Sequence, residues 1–99
     1  MDLKWTSKAL SDLERLYEFL RPVNKRAAAR VVQSLTTAPA SLLDNARIGE
    51  KLEEFEPREV RRILVGHYEM RYEIQESNAT LGLRATIYVL RLWHTREDR

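Results

Sequence analysis

The sequence predicts an α+β domain in which an antiparallel helical hairpin packs on one face of a small, mostly antiparallel sheet. Between Tyr68 and Ile74 apolar and charged residues alternate, which is typical of a half-buried strand. Thr86–Trp93 is almost entirely aliphatic, aromatic or β-branched, which predicts an interior strand with both faces partly covered. Two apolar stripes at helical spacing precede these strands. This order favours helices gathered on one side of a sheet.

A short strand and the helical hairpin open the chain. Leu3–Thr6 alternates and is predicted to be the first strand. The helical stripes that follow are Ala9, Leu13, Leu16, Tyr17 and Leu20, and then Ala28, Val31, Val32 and Leu35. Thr6 or Ser7 is the expected cap of the first helix, with a capping-box pattern at residues 11–14 as a later alternative start, and Asn24 is the expected cap of the second. Pro22 ends the first helix, and the short link predicts that the helices run antiparallel.

The remaining segments are predicted to be connections and a further strand. The apolar run Ile63–Val65 ends at Gly66, which is well placed to turn the chain into the next strand. Residues 44–57 are polar and poorly periodic, so they are predicted to form a connection. Its expected anchors are Ile48, Leu52 and Phe55, and Ser77–Ala79 is expected to form a hairpin turn.

Composition sets the class of protein. The 99 residues suffice for one domain, predicted to span 1–99, and 43% hydrophobic with 32% charged residues fits a globular chain. The absence of cysteine excludes disulfides, thiolate catalysis and cysteine-ligated metals. No apolar run is long enough to span a membrane, and two histidines are a weak metal signal, so no membrane, metal or cofactor is expected. A net charge of +2 does not hold nucleic acid by charge alone.

Arginines and histidines are the candidate functional residues. Thirteen of the 17 basic residues are arginines, and several lie on or near the predicted strands: Arg61, Arg62, Arg71, Arg91 and Arg96. They can form a cluster that binds phosphate or an acidic partner, or they can pair across strands with Glu69 and Glu73; both interpretations stay open. His94, beside charged neighbours, can act as a general acid or base, although a histidine at a strand end is more often structural.

Several segments resemble the ParE/RelE toxin superfamily. They are Leu3–Thr6, the helical hairpin, Val60–Tyr68 and above all Ile87–Asp98, which ends in a His-x-Arg-x-Asp pattern. The resemblance covers nearly the whole chain. It implies a small cytoplasmic toxin of a bacterial toxin–antitoxin system, of the kind linked to plasmid stabilisation, that is neutralised by a cognate antitoxin. Relatives of the RelE type cleave messenger RNA in the ribosomal A site, and those of the ParE type act on DNA gyrase and block replication.

The sequence departs from the RelE pattern where that nuclease chemistry resides. Glu69, rather than arginine, follows Tyr68, and no tyrosine comes after Tyr88. A carboxylate there repels a scissile phosphate. The departures favour a ParE-like inhibitor of DNA gyrase that is not an enzyme. The alternative is an endonuclease that acts on ribosome-bound mRNA.

The resemblance also implies where the binding residues lie. Target binding is expected at the C-terminal tip, on His94, Arg96 and Asp98, with Arg62 as a neighbour on the adjacent strand. In the nuclease alternative, Arg62, His94 and Arg96 are catalytic. The antitoxin is expected to lie against an apolar patch beside the helical hairpin, formed by Trp5, Leu16, Tyr17 and Leu20.

Overall fold

The structure is a computed structural model and describes residues 1–76 and 85–97. The described residues form β1 (Asp2–Trp5), α1 (Ser7–Leu20), α2 (Lys25–Thr37), β2 (Glu50–Lys51), β3 (Glu59–Val65), β4 (Tyr68–Gln75) and β5 (Thr86–His94). The strands make one sheet in the order β1-β5-β4-β3-β2. The predicted α+β fold is confirmed. The predicted turn at Ser77–Ala79 lies outside the described residues.

The last strand is interior, as its apolar composition predicts. β5 runs parallel to β1, with Leu3 opposite Ile87, and antiparallel to β4, with Met70 opposite Leu92. Ile87, Val89 and Leu92 are fully buried. An interior strand therefore leads to His94 at its end.

A two-residue turn joins β3 to β4. Val65 pairs with Tyr68, and Gly66 between them has φ +61°. No other residue of the described chain has a positive φ, so Gly66 supplies the one left-handed position that a type II′ hairpin turn requires. The turn sets His67 at the tip of the hairpin and Tyr68 directly after it.

The helical hairpin covers one face of the sheet. Thr6 and Asn24 cap the helices by accepting hydrogen bonds from Ala9 N (3.1 Å) and Ala27 N (3.0 Å), as predicted. The main core joins both helices to the sheet and contains Ala9, Leu16, Leu35, Met70, Val89 and Leu92. In the described part of the chain no helix is both long and apolar enough to cross a membrane.

The connection at residues 44–57 is more ordered than predicted. It contains β2, which pairs with Arg61 and Arg62 of β3, and a 3₁₀ helix at Glu53–Phe55. A strand of two residues carries no detectable alternation, so the sequence gives no sign of it. Leu52 is buried as expected, but Ile48 is 64% exposed and its prediction as an anchor is wrong.

Candidate functional site

The C-terminal tip folds against the β3–β4 turn. The His94 ring lies edge-on to Tyr68, with centroids 5.2 Å apart, and stacks with His67 at 6.1 Å. Thr95 N donates to His67 O over 2.9 Å, and Arg96 N donates to His94 Nδ1 over 3.1 Å. The predicted site residues His94 and Arg96 are therefore fixed beside two residues of the turn that sequence reasoning did not select.

A pocket of about 370 Å³ lies between α1 and this tip. Its lining residues are Leu16, Phe19, Leu20, Tyr68, His94, Arg96 and Glu97. Phe19 is 76% exposed, an unusual position for a large aromatic side chain. Burial raises the pKa of the Tyr68 phenol, and the nearby charge of Glu97 raises it further.

A second pocket of about 260 Å³ lies between α2 and the β3–β4 turn. It is lined by Arg30, Val31, Ser34, Leu35 and the residues from Val65 to Tyr68. Tyr68 lines both pockets. The turn end of the sheet thus carries two neighbouring cavities, each with an arginine in its wall.

Side chains of α1 hold the strand that leads to the tip. β1 pairs with β5 only as far as Val89, so Leu92 has no strand beside it on that edge. Instead Asp12 Oδ2 accepts a hydrogen bond from Leu92 N (2.9 Å), and Arg15 Nη2 donates to Leu92 O (3.3 Å). Arg15 also pairs with Glu97. Two side chains therefore replace a neighbouring strand and tether the tip to the helix.

Asp12 is the centre of this arrangement and is 5% exposed. Burial by itself raises the pKa of Asp12, but hydrogen bonds from Arg91, Leu92 N and Arg15 outweigh that effect and leave the pKa below its ordinary value. Sequence reasoning missed Asp12. The available signal was its spacing, since a carboxylate three residues after Ala9 and four before Leu16 lies on the buried stripe of the helix.

Arginines on the other side of the sheet are paired with carboxylates. Arg62 binds Glu69 (Nη1 to Oε1, 3.1 Å) and Glu50 (Nη2 to Oε2, 2.9 Å). Arg71 Nη2 lies 3.6 Å from Glu69 Oε2 and stacks on Trp93, with 4.7 Å from its guanidinium carbon to the ring centroid. The cross-strand interpretation therefore describes this face better than an open basic cluster does.

Glu69 is buried, although the alternation in β4 predicts a solvent-facing position. Its exposure is 2%, because the guanidinium groups of Arg62 and Arg71 cover it and supply opposite charge. Glu73 is likewise buried, at 8%, and binds Arg58 over 2.7 Å.

Arg62 is not a neighbour of His94, which corrects the sequence prediction. β4 lies between their strands. Arg62 aligns with Arg71 and His94 aligns with Tyr68. Residues three apart on a strand point to opposite faces, so Arg62 and His94 lie on opposite sides of the sheet.

A known family matches almost the whole chain. Residues 3–99 match the family model described as the ParE toxin of the type II toxin–antitoxin system parDE. The chain belongs to the ParE toxin family. A solved structure titled "Chromosomal ParDE TA system from P. aeruginosa" is similar, with 23% identity, a TM-score of 0.69 and 97% of each chain covered, and this likeness shows the fold. Among curated proteins, none matches the chain.

The residues predicted to bind an antitoxin do not form an exposed patch in this ParE-family chain. Leu16 is 2% exposed and belongs to the core. Trp5, Tyr17 and Leu20 are half-buried. The exposed apolar residues of α1 are Leu10 and Phe19, at 52% and 76%.

Two further points concern the predicted site of this family member. Asp98 lies outside the described residues, so its role stays a prediction. In residues 1–76 and 85–97, no group of three or more histidine, aspartate or glutamate side chains is placed to hold a metal ion.

Proposed function

We propose that this ParE-family toxin acts in the cytoplasm by binding DNA gyrase, that it blocks replication without catalysing a reaction, and that a cognate antitoxin neutralises it. Family membership supports the general class. The choice of gyrase over the ribosome rests on the residues of the sheet.

The observation that carries this choice is the pairing of Arg62 with Glu69. A ribonuclease needs guanidinium groups that are free to stabilise the charge of a phosphate in the transition state. Arg62 instead lies between two carboxylates, and Glu69 is buried beside it. A phosphate at this position meets a fixed negative charge, so the face is unsuited to RNA cleavage.

The proposed contact with gyrase is the C-terminal tip. Apart from Arg91, β5 is apolar from Ile87 to Trp93, and His94 and Arg96 then present polar groups at the surface. Binding groups held on a regular element keep their geometry better than groups on a free loop. Arg96 forms no ion pair within the described residues and is therefore available to a partner.

The test compares two activities of the purified protein. We expect it to inhibit gyrase supercoiling and to leave ribosome-bound message intact. A chain truncated after Trp93 should keep the core strand and its fold, judged by circular dichroism, and should lose the inhibition. Retained inhibition in a folded truncated chain places the contact elsewhere, and unfolding of that chain makes the tip structural.

One observation favours ribosome-dependent mRNA cleavage as a second candidate. His67, His94 and Tyr68 lie together, and two histidines near an unpaired arginine can supply an acid, a base and a phosphate contact. Codon-specific cleavage that His94→Ala abolishes, with no effect of the wild type on gyrase, establishes this second function in place of the first.

A further inference from the structure

The edge of β5 that faces α1 is closed by side chains rather than by a strand. β1 ends its pairing with β5 one residue before Leu90. From there on, Thr6 Oγ1 donates a hydrogen bond to Leu90 O over 3.0 Å. Asp12 and Arg15 then hold the backbone N and O of Leu92. The first turns of α1 therefore satisfy, along this edge, the backbone groups that a longer β1 would satisfy.

Arg15 extends this attachment beyond the strand. Its Nη2 donates to Leu92 O over 3.3 Å, and its Nη1 forms an ion pair with Glu97. Leu92 is fully buried in β5, whereas Glu97 belongs to the turn after the strand. One guanidinium group therefore connects α1, the buried end of β5 and the C-terminal tip.

Arg96 lies between two attachments of the tip. On one side of it, Thr95 N donates to His67 O over 2.9 Å and links the tip to the β3–β4 turn. On the other side, Glu97 pairs with Arg15 and links the tip to α1. The backbone of Arg96 is thus fixed through both of its neighbours, although its own side chain is exposed.

We infer that Arg15 is a positioning residue for the proposed gyrase contact: it holds Glu97 and thereby presents Arg96 in the orientation that gyrase binds. This inference rests on the proposed binding of gyrase by the tip. Arg15 is not among the residues that line the pocket at the tip, so it acts through its neighbours. A binding group that is ordered before the partner arrives avoids the cost of being ordered on binding, which is worth about two- to tenfold in affinity for one flexible side chain.

The pair of Arg15 with Glu97 contributes more to the position of the tip than to the stability of the fold. Both side chains are partly exposed, at 46% and 31%, and ion pairs of this kind contribute little to stability. The buried cluster beneath them includes Leu16 and Leu92 but neither member of the pair. Loss of the pair should therefore weaken gyrase binding at a nearly unchanged melting temperature.

The test measures half-inhibitory concentrations in a gyrase supercoiling assay. Arg15→Met keeps most of the side-chain length but loses both contacts, and Glu97→Gln removes only the charge of the partner and leaves Arg15 on Leu92 O. We expect each half-inhibitory concentration to rise about fivefold. The matched control is Arg21→Met, which breaks an exposed pair with Glu18 at the end of the same helix and should stay within about twofold of the wild type.

Two further measurements separate positioning from a general structural role. In an Arg96→Ala background, Arg15→Met should change the half-inhibitory concentration by less than about twofold, because the residue through which Arg15 acts is gone. Hydrogen exchange should show the Thr95 amide of Arg15→Met exchanging about fivefold faster, while the amide of the buried Val89 is unchanged. A general loss of stability affects both backgrounds and both amides alike.

The outcomes distinguish this inference from the proposed function. Wild-type inhibition by both Arg15→Met and Glu97→Gln overturns the inference and leaves gyrase binding by the tip standing. An equal additional loss in the Arg96→Ala background also overturns it, since Arg15 then acts independently of Arg96. If the wild type does not inhibit gyrase, the proposed function and the inference fail together. If Arg15→Met does not fold, Glu97→Gln decides between these results.

Discussion

Two regions of the molecule differ in whether their arginines are paired with carboxylates. On the side away from the helices, Arg62 and Arg71 lie against the buried carboxylate of Glu69. At the turn end, Arg30 and Arg96 border apolar pockets and have no carboxylate partner within the described chain. The number of arginines on a surface therefore does not identify a binding site. What identifies it is whether each arginine already has an internal partner.

The largest loss of stability is expected from Asp12→Ala, which removes an internal partner. The buried Leu92 N loses its acceptor and the partly exposed Arg91 loses its ion-pair partner, so we expect the free energy of unfolding to fall by about 3 kcal/mol. Urea unfolding measures this change. The control is Glu18→Ala, which breaks an exposed ion pair with Arg21 and should change stability by less than about 0.5 kcal/mol. Equal effects contradict the structural role of Asp12.

A smaller loss is expected from Glu69→Gln on the paired face. The arginines that cover Glu69 reach solvent, so we expect about 2 kcal/mol rather than the larger value for a fully buried pair. Glu50→Gln removes the other carboxylate on Arg62, but Glu50 is 63% exposed and its loss should cost under about 1 kcal/mol. If the two variants have similar urea midpoints, the buried Glu69 contributes no more to stability than the exposed Glu50 does.

Lowering the pH should destabilise the fold where carboxylates are paired with arginines. The pKa of Asp12 lies below its ordinary value, and so does that of Glu59, where hydrogen bonds from Arg47 and Arg61 outweigh burial. A carboxyl with a lowered folded pKa stabilises the protein above its unfolded pKa, about 4, and that stability is lost as the pH falls through the folded pKa. Urea midpoints should decline below pH about 4. In Asp12→Asn the urea midpoint should decline less steeply as the pH falls. An unchanged slope contradicts a contribution of Asp12 to the stability lost in acid.

The smallest effect on stability is expected from Arg96→Ala at the unpaired end. An exposed side chain without an ion pair should change the free energy of unfolding by less than about 0.5 kcal/mol. Growth arrest on induction should nevertheless be strongly reduced, because the proposed target contact is lost. Arg26→Ala should leave both growth arrest and melting temperature unchanged. Full toxicity of Arg96→Ala removes this residue from the site.

Periodicity and capping residues predicted most of the fold. Thr6, Asn24 and Gly66 occupy the positions that local chemistry assigns to them, because caps and turns depend on a few neighbouring residues. β2 was not predicted, because its two residues form a strand only by pairing with Arg61 and Arg62 of β3.

The site was less predictable because it depends on what lies across the sheet. Alternation places Glu69 in solvent, and only the folded chain brings Arg62 and Arg71 over it. The separation of Arg62 from His94 likewise follows from strand order and register, which local patterns do not encode. The unpaired state of Arg30 could not be predicted from the sequence, since it depends on which carboxylates the paired arginines of the described residues bind in the folded chain.

The parallel pairing of β1 with β5 bears on how the toxin folds. Asp2 aligns with Thr86, so β1 joins the sheet only when β5, far along the chain, is in place. Such distant pairing forms late, because the intervening chain must first be brought together. The strand that completes the sheet is also the strand that carries His94. The pairing that completes the sheet and the proposed toxic tip therefore depend on the same strand.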